Sequence, residues 1–208
     1  MKLKWLFLVA FCLLLAGCQP NTEIGDMAVV VGVAVAQPSD NQLTVSVELA
    51  YRDSINGEDK SSIVTAEGAD WPSVEEALAE QCDKRLYWGH TILLLIDENC
   101  AARRRAALLE QFYLDQTLAP TIYTALFSGG TELLGLGFAE AACASQGVAH
   151  RLSLAQDNDT ALCFTVERCV RRIYREETLL MAVLEATEDG CVFRGVTCVA
   201  PGDNGDGS

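Results

Sequence analysis

The stretch MAVVVGVAVA at residues 27–36 decides the fold of this chain. Its nearly continuous valine and alanine residues are typical of a β-strand that is buried on both faces. A turn cluster, PSDN at residues 38–41, follows this strand. Residues 43–51 then alternate between apolar and polar side chains, which predicts a half-buried second strand with Ser46 and Glu48 on its polar face. We therefore expect the folded part of the chain to begin with a β-hairpin.

The rest of the chain alternates between strand and helix patterns. We expect further strands at residues 63–67, 91–96 and 121–127, and a closing hairpin formed by residues 178–186 and 191–199. We expect helices that begin at Trp71, that cover residues 99–114, that begin at Thr131 after a Gly-Gly turn, and that cover residues 161–175. The order β-β-β-α-β-α-β-α-α-β-β predicts an α/β (α+β) fold, in which one mixed central sheet is flanked by helices in a single domain.

The first seventeen residues have the pattern of an export signal. Lys2 and Lys4 precede an apolar run at residues 5–15, which is too short to span about 30 Å of hydrocarbon. The LAGC sequence that ends at Cys18 resembles a bacterial lipobox, so we expect cleavage before Cys18 and lipidation of its thiol; an ordinary secretory signal is the alternative. The expected organisation is a lipoprotein signal peptide at 1–17, a lipidated linker at 18–26, a domain at 27–200 and a disordered acidic Gly/Asp tail at 201–208.

Composition excludes several classes of function. The 208 residues include 29 acidic and 15 basic side chains, for a net charge of −14. This imbalance argues against a broad nucleic-acid-binding face and against electrostatic adhesion to anionic lipid. After the signal, no segment is apolar for long enough to cross a bilayer. We therefore expect a lipid-anchored protein that does not span the membrane and does not bind nucleic acid.

The sequence does not indicate a catalytic or metal centre. The two histidines, His90 and His150, have no partner suggested by spacing, and we expect His150 in a loop. No nucleophile elbow, phosphate-binding loop or zinc-hydrolase helix occurs, so we expect neither an enzyme nor a metal or cofactor. A turn at residues 128–131 before a helix suits an anion, with a plain threonine-capped turn as the alternative. The arginines at 103–105 are interpreted as a solvated helix face.

Seven cysteines remain after the signal peptide and the lipidation site: Cys82, Cys100, Cys143, Cys163, Cys169, Cys191 and Cys198. None of them forms a Cys-x-x-Cys pair, which argues against a zinc or redox motif. We expect Cys163 and Cys169 to lie in one helix, too far apart for an easy disulfide. The favoured interpretation is that the cysteines are small buried apolar residues, with a disulfide framework as the alternative.

Several segments that follow the lipobox in order carry a family resemblance. The most specific is RLYWGHTILLLI at residues 85–96, where an aromatic-Gly-His sequence precedes an apolar strand. The others are residues 23–35, 66–68, 73–77, 109–115, 123–127 and 193–199. Together they resemble the N-terminal domain of the Ger(x)C lipoproteins, the C subunits of spore germinant receptors. The sequence departs from the family pattern at Leu114, where arginine is common, and at Gln116 and Thr117, which replace the usual Pro-Glu.

The resemblance implies a non-enzymatic accessory lipoprotein in spore germination, on the outer face of the cytoplasmic (spore inner) membrane. The implied partners are the membrane-embedded A-type and B-type germinant receptor subunits. Family members normally continue into further domains, so the resemblance implies a short form that covers the N-terminal domain. The alternative functions are a generic exported lipoprotein that binds a solute or peptide for uptake, and a lipid-anchored hydrolase.

Tyr87, Trp88, Gly89 and His90 form the candidate functional motif, because no other aromatic-rich cluster contains a histidine. One interpretation is a contact surface for a receptor subunit, with the aromatic side chains as anchors. The other is structural: Gly89 provides a backbone turn and His90 caps a neighbouring carbonyl. The sequence leaves both interpretations open.

Overall fold

The structure is a computed structural model, and it describes residues 27–39, 41–52, 57–82, 84–119, 121–128, 134–135, 141–158, 162–187 and 190–199. The strands in these ranges are β1 (Met27–Ser39), β2 (Gln42–Arg52), β3 (Asp59–Gly68), β4 (Arg85–Tyr87), β5 (Leu93–Asp97), β6 (Tyr123–Ser128), β7 (Leu179–Thr187) and β8 (Gly190–Val199). The helices are α1 (Trp71–Gln81), α2 (Ala102–Leu114), α3 (Ala144–Asn158) and α4 (Val166–Tyr174). None of these helices is both long and apolar enough to span a bilayer.

Some of the sequence-based expectations lie outside the described residues. These are the signal peptide, the lipidation site at Cys18, the linker to residue 26, the helix start at Thr131 and the tail at 201–208.

All of the strands belong to one mixed sheet, as predicted. Its order is β3-β2-β1-β5-β6-β7-β8, and β4 also pairs with β1. The strands β1, β5, β6 and β7 are parallel to one another, whereas the hairpin partners β2 and β8 run antiparallel to their neighbours. Thus β1 pairs with β2 along one edge and with β4 and β5 along the other.

Helices cover both faces of the sheet. On one face, Val33 and Val35 of β1 belong to a core that includes side chains from α1, α2 and α4. On the other face, Ala34 packs in a second core with Val148 and Leu152 of α3. The prediction that β1 is buried on both faces is therefore confirmed.

Three local expectations were wrong. The last helix begins at Val166, not residue 161, because the Thr165 hydroxyl caps it and the Cys163 amide donates to the Leu180 carbonyl in the sheet. His150 lies in α3, since buried residues recur there at helical spacing. The strand β4 was not predicted, because three residues are too few for a periodic pattern.

The expectation for residues 103–105 also needs correction at one position. Arg105 is only 8% exposed, whereas Arg103 remains exposed. Arg105 precedes the buried Leu108, Leu109 and Phe112 by three, four and seven positions. Helical periodicity therefore places Arg105 on the buried side of α2 despite its charge.

The polar face of β2 is covered, in contrast to the sequence-based expectation. Ser46 and Glu48 are at most 1% exposed. The Glu48 carboxylate accepts hydrogen bonds from the Ala144 amide at 2.9 Å and from the Ser145 amide at 2.8 Å. It also accepts from the hydroxyls of Ser145 at 2.5 Å and Ser61 at 2.8 Å. These bonds satisfy free amide groups at the start of α3 and place a negative charge at its positive end.

The close approach of α3 to the sheet requires a glycine in β1. A Cβ atom at Gly32 would lie 1.8 Å from the Ser145 hydroxyl oxygen and 2.9 Å from the Ser145 Cβ. The missing side chain at Gly32 therefore leaves room for the same serine that binds Glu48.

Replacing Glu48 with alanine should lower the free energy of unfolding by about 3 kcal/mol, because two buried amide groups and two hydroxyls lose their charged acceptor. Urea denaturation followed by circular dichroism measures this loss. The matched control is Glu76→Ala, at an exposed position of α1, which should change stability by less than about 0.5 kcal/mol. Equal small effects of the two substitutions would contradict the structural role of Glu48.

Replacing Gly32 with alanine should cost about 2 kcal/mol, because the added methyl group collides with Ser145. Gly195 in β8 provides the control, since a Cβ there would meet nothing within 4 Å. Thermal melts of the two variants should therefore differ clearly. If Gly32→Ala melts at the temperature of Gly195→Ala, the close approach of α3 is wrong.

Candidate functional site

The candidate motif connects two strands that lie along the same edge of β1. Arg85 and Tyr87 of β4 pair with Met27 and Val29, and β5 then pairs further along β1. Between them, the Thr91 amide donates to the Trp88 carbonyl at 2.9 Å, which closes a turn centred on Gly89 and His90. The motif is therefore held at the amino-terminal end of the central strand.

Trp88 connects this turn to two helices. Its ring is half-buried and lies 5.8 Å from the ring of Trp71, which begins α1. Trp71 in turn makes an edge contact with Phe112 of α2, with ring centroids 5.1 Å apart. The Trp88 indole Nε1 donates to Glu75 of α1 at 3.2 Å. Packed aromatic rings with one polar bond hold Trp88 in a fixed orientation.

Tyr87 and His90 lie on the exposed side of the same turn. Their ring centroids are 5.5 Å apart and their planes meet at 71°. A Cβ atom at Gly89 would lie 2.6 Å from the Tyr87 hydroxyl oxygen, so the glycine allows the tyrosine ring to lie over the turn. Among the described contacts, the ring partner of His90 is Tyr87, and no hydrogen bond from His90 to a carbonyl is present.

A surface cleft of about 500 Å³ lies beside the motif. Its lining includes Met27, Arg85, Tyr87 and Trp88. A second, much smaller pocket of about 20 Å³ lies between Trp71, Trp88 and α2. The volume of the larger cleft lies within the usual range for binding pockets. The structure therefore brings Tyr87, Trp88 and Gly89 to one concave surface, whereas His90 is not among the residues that line it.

Two acidic side chains, Glu75 and Asp115, line both the cleft and the small pocket. Neither was predicted from the sequence as a functional residue. Asp115 follows α2 and accepts hydrogen bonds from the amide and hydroxyl of Thr117 at 2.8 and 2.7 Å. Glu75 lies on the exposed face of α1. The sequence did contain one signal for Glu75. It lies one helical turn after Trp71, so both side chains lie on the same side of α1.

Potential metal ligands do not cluster among the described residues. No group of three or more His, Cys, Asp or Glu side chains within them could hold a metal ion. His90 lies in the turn and His150 on α3, and both are exposed.

The cysteines differ in burial, so the expectation that all seven are buried was wrong for two. Cys82 is half-buried and Cys198 is exposed, and all seven are free thiols. Cys163 precedes α4, so it does not share a helix with Cys169. A hydrogen bond with the Cys169 thiol lowers the pKa of Cys163 to about 7, whereas burial raises the pKa of Cys169. Burial also raises the pKa of Cys100, to about 11.

The fold and the cleft define the class of protein: a single α+β domain, built on one mixed sheet, with an aromatic surface cleft. Residues 20–186 match the family model described as the spore germination protein N-terminal domain. This chain therefore belongs to the Ger(x)C family of spore germination proteins, which confirms the resemblance seen in the sequence.

No curated protein sequence matches the chain. A solved structure, the crystal structure of the GerBC protein, aligns with a TM-score of 0.39 and 13% identity. The alignment covers 83% of this chain and 49% of that chain, so this chain spans about half the length of the solved relative.

Trp88→Ala should lower the free energy of unfolding by about 2 kcal/mol, because the half-buried ring joins the turn to α1 and α2. His90→Ala should change it by less than about 0.5 kcal/mol, because its ring is exposed. Chemical denaturation of both variants provides the comparison. A loss at His90 as large as that at Trp88 would support a structural role for the histidine.

Proposed function

We propose that this chain is the C-type subunit of a spore nutrient-germinant receptor and acts as a non-enzymatic accessory protein in spore germination. The observation that carries the proposal is the family match over residues 20–186. The proposed role is to hold other receptor subunits by contact, without chemistry of its own. The aromatic cleft is consistent with this role, because aromatic side chains in concave surfaces often anchor protein partners.

The proposed attachment is a lipid on Cys18. Eight residues, 19–26, separate Cys18 from Met27, which lines the cleft. A fully extended chain of that length reaches roughly 30 Å at most. The anchor would therefore keep the cleft near the outer face of the cytoplasmic (spore inner) membrane. The net charge of −14 does not oppose such an anchor, because acyl chains insert without basic protein surface.

The proposed partners are the membrane-embedded A-type and B-type subunits. The proposed contact surface contains Tyr87, Trp88, Gly89 and His90, with Tyr87 and Trp88 as anchors. Tyr87 is 41% exposed, so its ring is accessible to a partner. Tyr87 pairs with Val29 near the start of β1, so the proposed surface lies at the end of the domain where β1 begins.

Spores of a strain that lacks this chain should lose the response to at least one nutrient mixture. The wild-type gene should restore the response, whereas Cys18→Ala should not, because its product cannot be lipidated. Loss of light scattering measures germination, and labelled palmitate with membrane fractionation measures anchoring.

The control is Cys82→Ala, which removes a half-buried thiol inside the domain and should keep both the label and the membrane location. Normal germination of the deletion strain in every nutrient mixture would refute the proposed function. Palmitate labelling that persists in Cys18→Ala would refute the proposed anchor.

A further inference from the structure

Two buried cysteine thiols lie in contact at the start of α4. Cys163 and Cys169 are both 0% exposed, and their thiols are joined by a hydrogen bond. The Cys169 Sγ also lies 4.0 Å from the carbonyl oxygen of Cys163. The other buried thiols have a different setting, because charged side chains and backbone amides act on Cys100, Cys143 and Cys191.

The path of the chain before α4 explains this contact. The Cys163 amide donates to the Leu180 carbonyl at 2.9 Å, which holds this residue on β7. The chain is still extended at Thr165, the residue that caps α4, with φ −128° and ψ 149°. The Cys169 amide then donates to the Thr165 carbonyl at 3.0 Å, so the first turn of the helix lies beside the extended segment. Two cysteines six positions apart would not meet on one helix, but they meet across this change of direction.

The two thiols differ in their tendency to ionise. The hydrogen bond from Cys169 is the largest cause of the lowered pKa of Cys163, about 7, and Arg172 and Arg168 lower it as well. Burial is the largest cause of the raised pKa of Cys169. One sulfur therefore ionises near neutral pH while its neighbour keeps a proton. Thiol–disulfide exchange uses this difference, because a thiolate must attack first.

We propose that Cys163 and Cys169 form a disulfide bond in the exported protein. The oxidant required is a second disulfide. The Cys163 thiolate attacks one of its sulfur atoms and releases the other as a thiolate, which leaves a mixed disulfide. Cys169 then loses its proton and attacks the sulfur of Cys163, so that the second thiolate of the oxidant leaves. Two electrons pass to the oxidant, and the protons of the two cysteines convert its thiolates to thiols.

The burial of both sulfur atoms determines when each step takes place. The first step requires α4 to be still folding or transiently open, because the oxidant must reach Cys163. The second step is intramolecular and is favoured by the native contact. Outside the cytoplasm, thiols are not held reduced by glutathione and thioredoxin. This location rests on the proposed function, whereas the contact between the thiols does not.

Mass spectrometry of the full chain in detergent tests the bond without any substitution. Trypsin cleaves after arginine, and Arg168 lies between the two cysteines, so Cys163 and Cys169 are released in different peptides, 152–168 and 169–171. The reduced chain is refolded with oxidised glutathione, alkylated and digested. We expect most molecules to yield the two peptides joined, and dithiothreitol to separate them. Alkylation of both cysteines, or a bond from either one to a different cysteine, would overturn the inference.

Matched serine variants test the order of attack. In Cys169→Ser, no second thiol can displace glutathione from Cys163, so this mixed disulfide should accumulate about tenfold over the wild-type level. Cys100→Ser removes a buried thiol elsewhere and should leave the yield of joined peptides unchanged. Wild-type levels of the mixed disulfide in Cys169→Ser would contradict the attack by Cys163. An equal loss of joined peptides in Cys100→Ser would contradict the pairing.

Protein from spores shows whether the bond forms in the cell. Spores are broken in an alkylating agent that blocks free thiols at once, and the chain is digested in the same way. Joined peptides support the proposal, whereas two alkylated cysteines refute it even if glutathione joins them in vitro. A deletion strain that germinates normally refutes the proposed function and leaves the glutathione result standing. Separate peptides together with a germination-deficient deletion strain refute only the disulfide.

Discussion

The buried carboxylate of Glu48 is the interaction on which the three-layer arrangement depends. Its hydrogen bonds join β2 to the first residues of α3, which are almost one hundred positions later in the chain. The second core lies between α3 and the sheet. Without α3, the residues on that side of β1 and β5 would be exposed to water. A charged group on a buried face of the sheet therefore determines where the helix that covers this face begins.

The candidate site lies on the opposite face of the sheet. There, α1 and α2 approach each other through Trp71 and Phe112, and Trp88 reaches them from the break between β4 and β5. The cleft exists because these two strands do not form one continuous strand along β1. A continuous strand would have no turn to present Trp88 to the helices. The same irregularity thus positions both the family motif and the acidic side chains around it.

The elements that were predicted correctly are those with strong local patterns. Examples are the apolar run of β1, the alternation in β2 and the buried segment of β5. Each of these patterns can be recognised from a few adjacent residues in the sequence. The buried state of Glu48 and of Arg105 could not be predicted, because α3 and the packing of α2 decide it. Local pattern alone therefore places strands well but does not show which polar side chains a distant helix will cover.

The candidate site was predicted only in part, for the same reason. Tyr87, Trp88 and Gly89 are adjacent in sequence, so the motif was visible as a cluster. Glu75 and Asp115 are forty positions apart and meet at the cleft only because α1 packs beside α2. His90 is also adjacent to these residues in sequence, but it is not among the residues that line the cleft.

The position of β1 in the sheet has a consequence for how the chain reaches its native state. One edge of β1 pairs with β2, which follows at once in the sequence, but its other edge pairs with β4 and β5, some sixty residues later. Pairing between distant segments folds slowly, since a long loop must close before contacts form. A valine-rich strand with one open edge is meanwhile exposed to association with other chains. The strand β1 therefore keeps one edge unpaired until the segment at residues 85–97 has been synthesised.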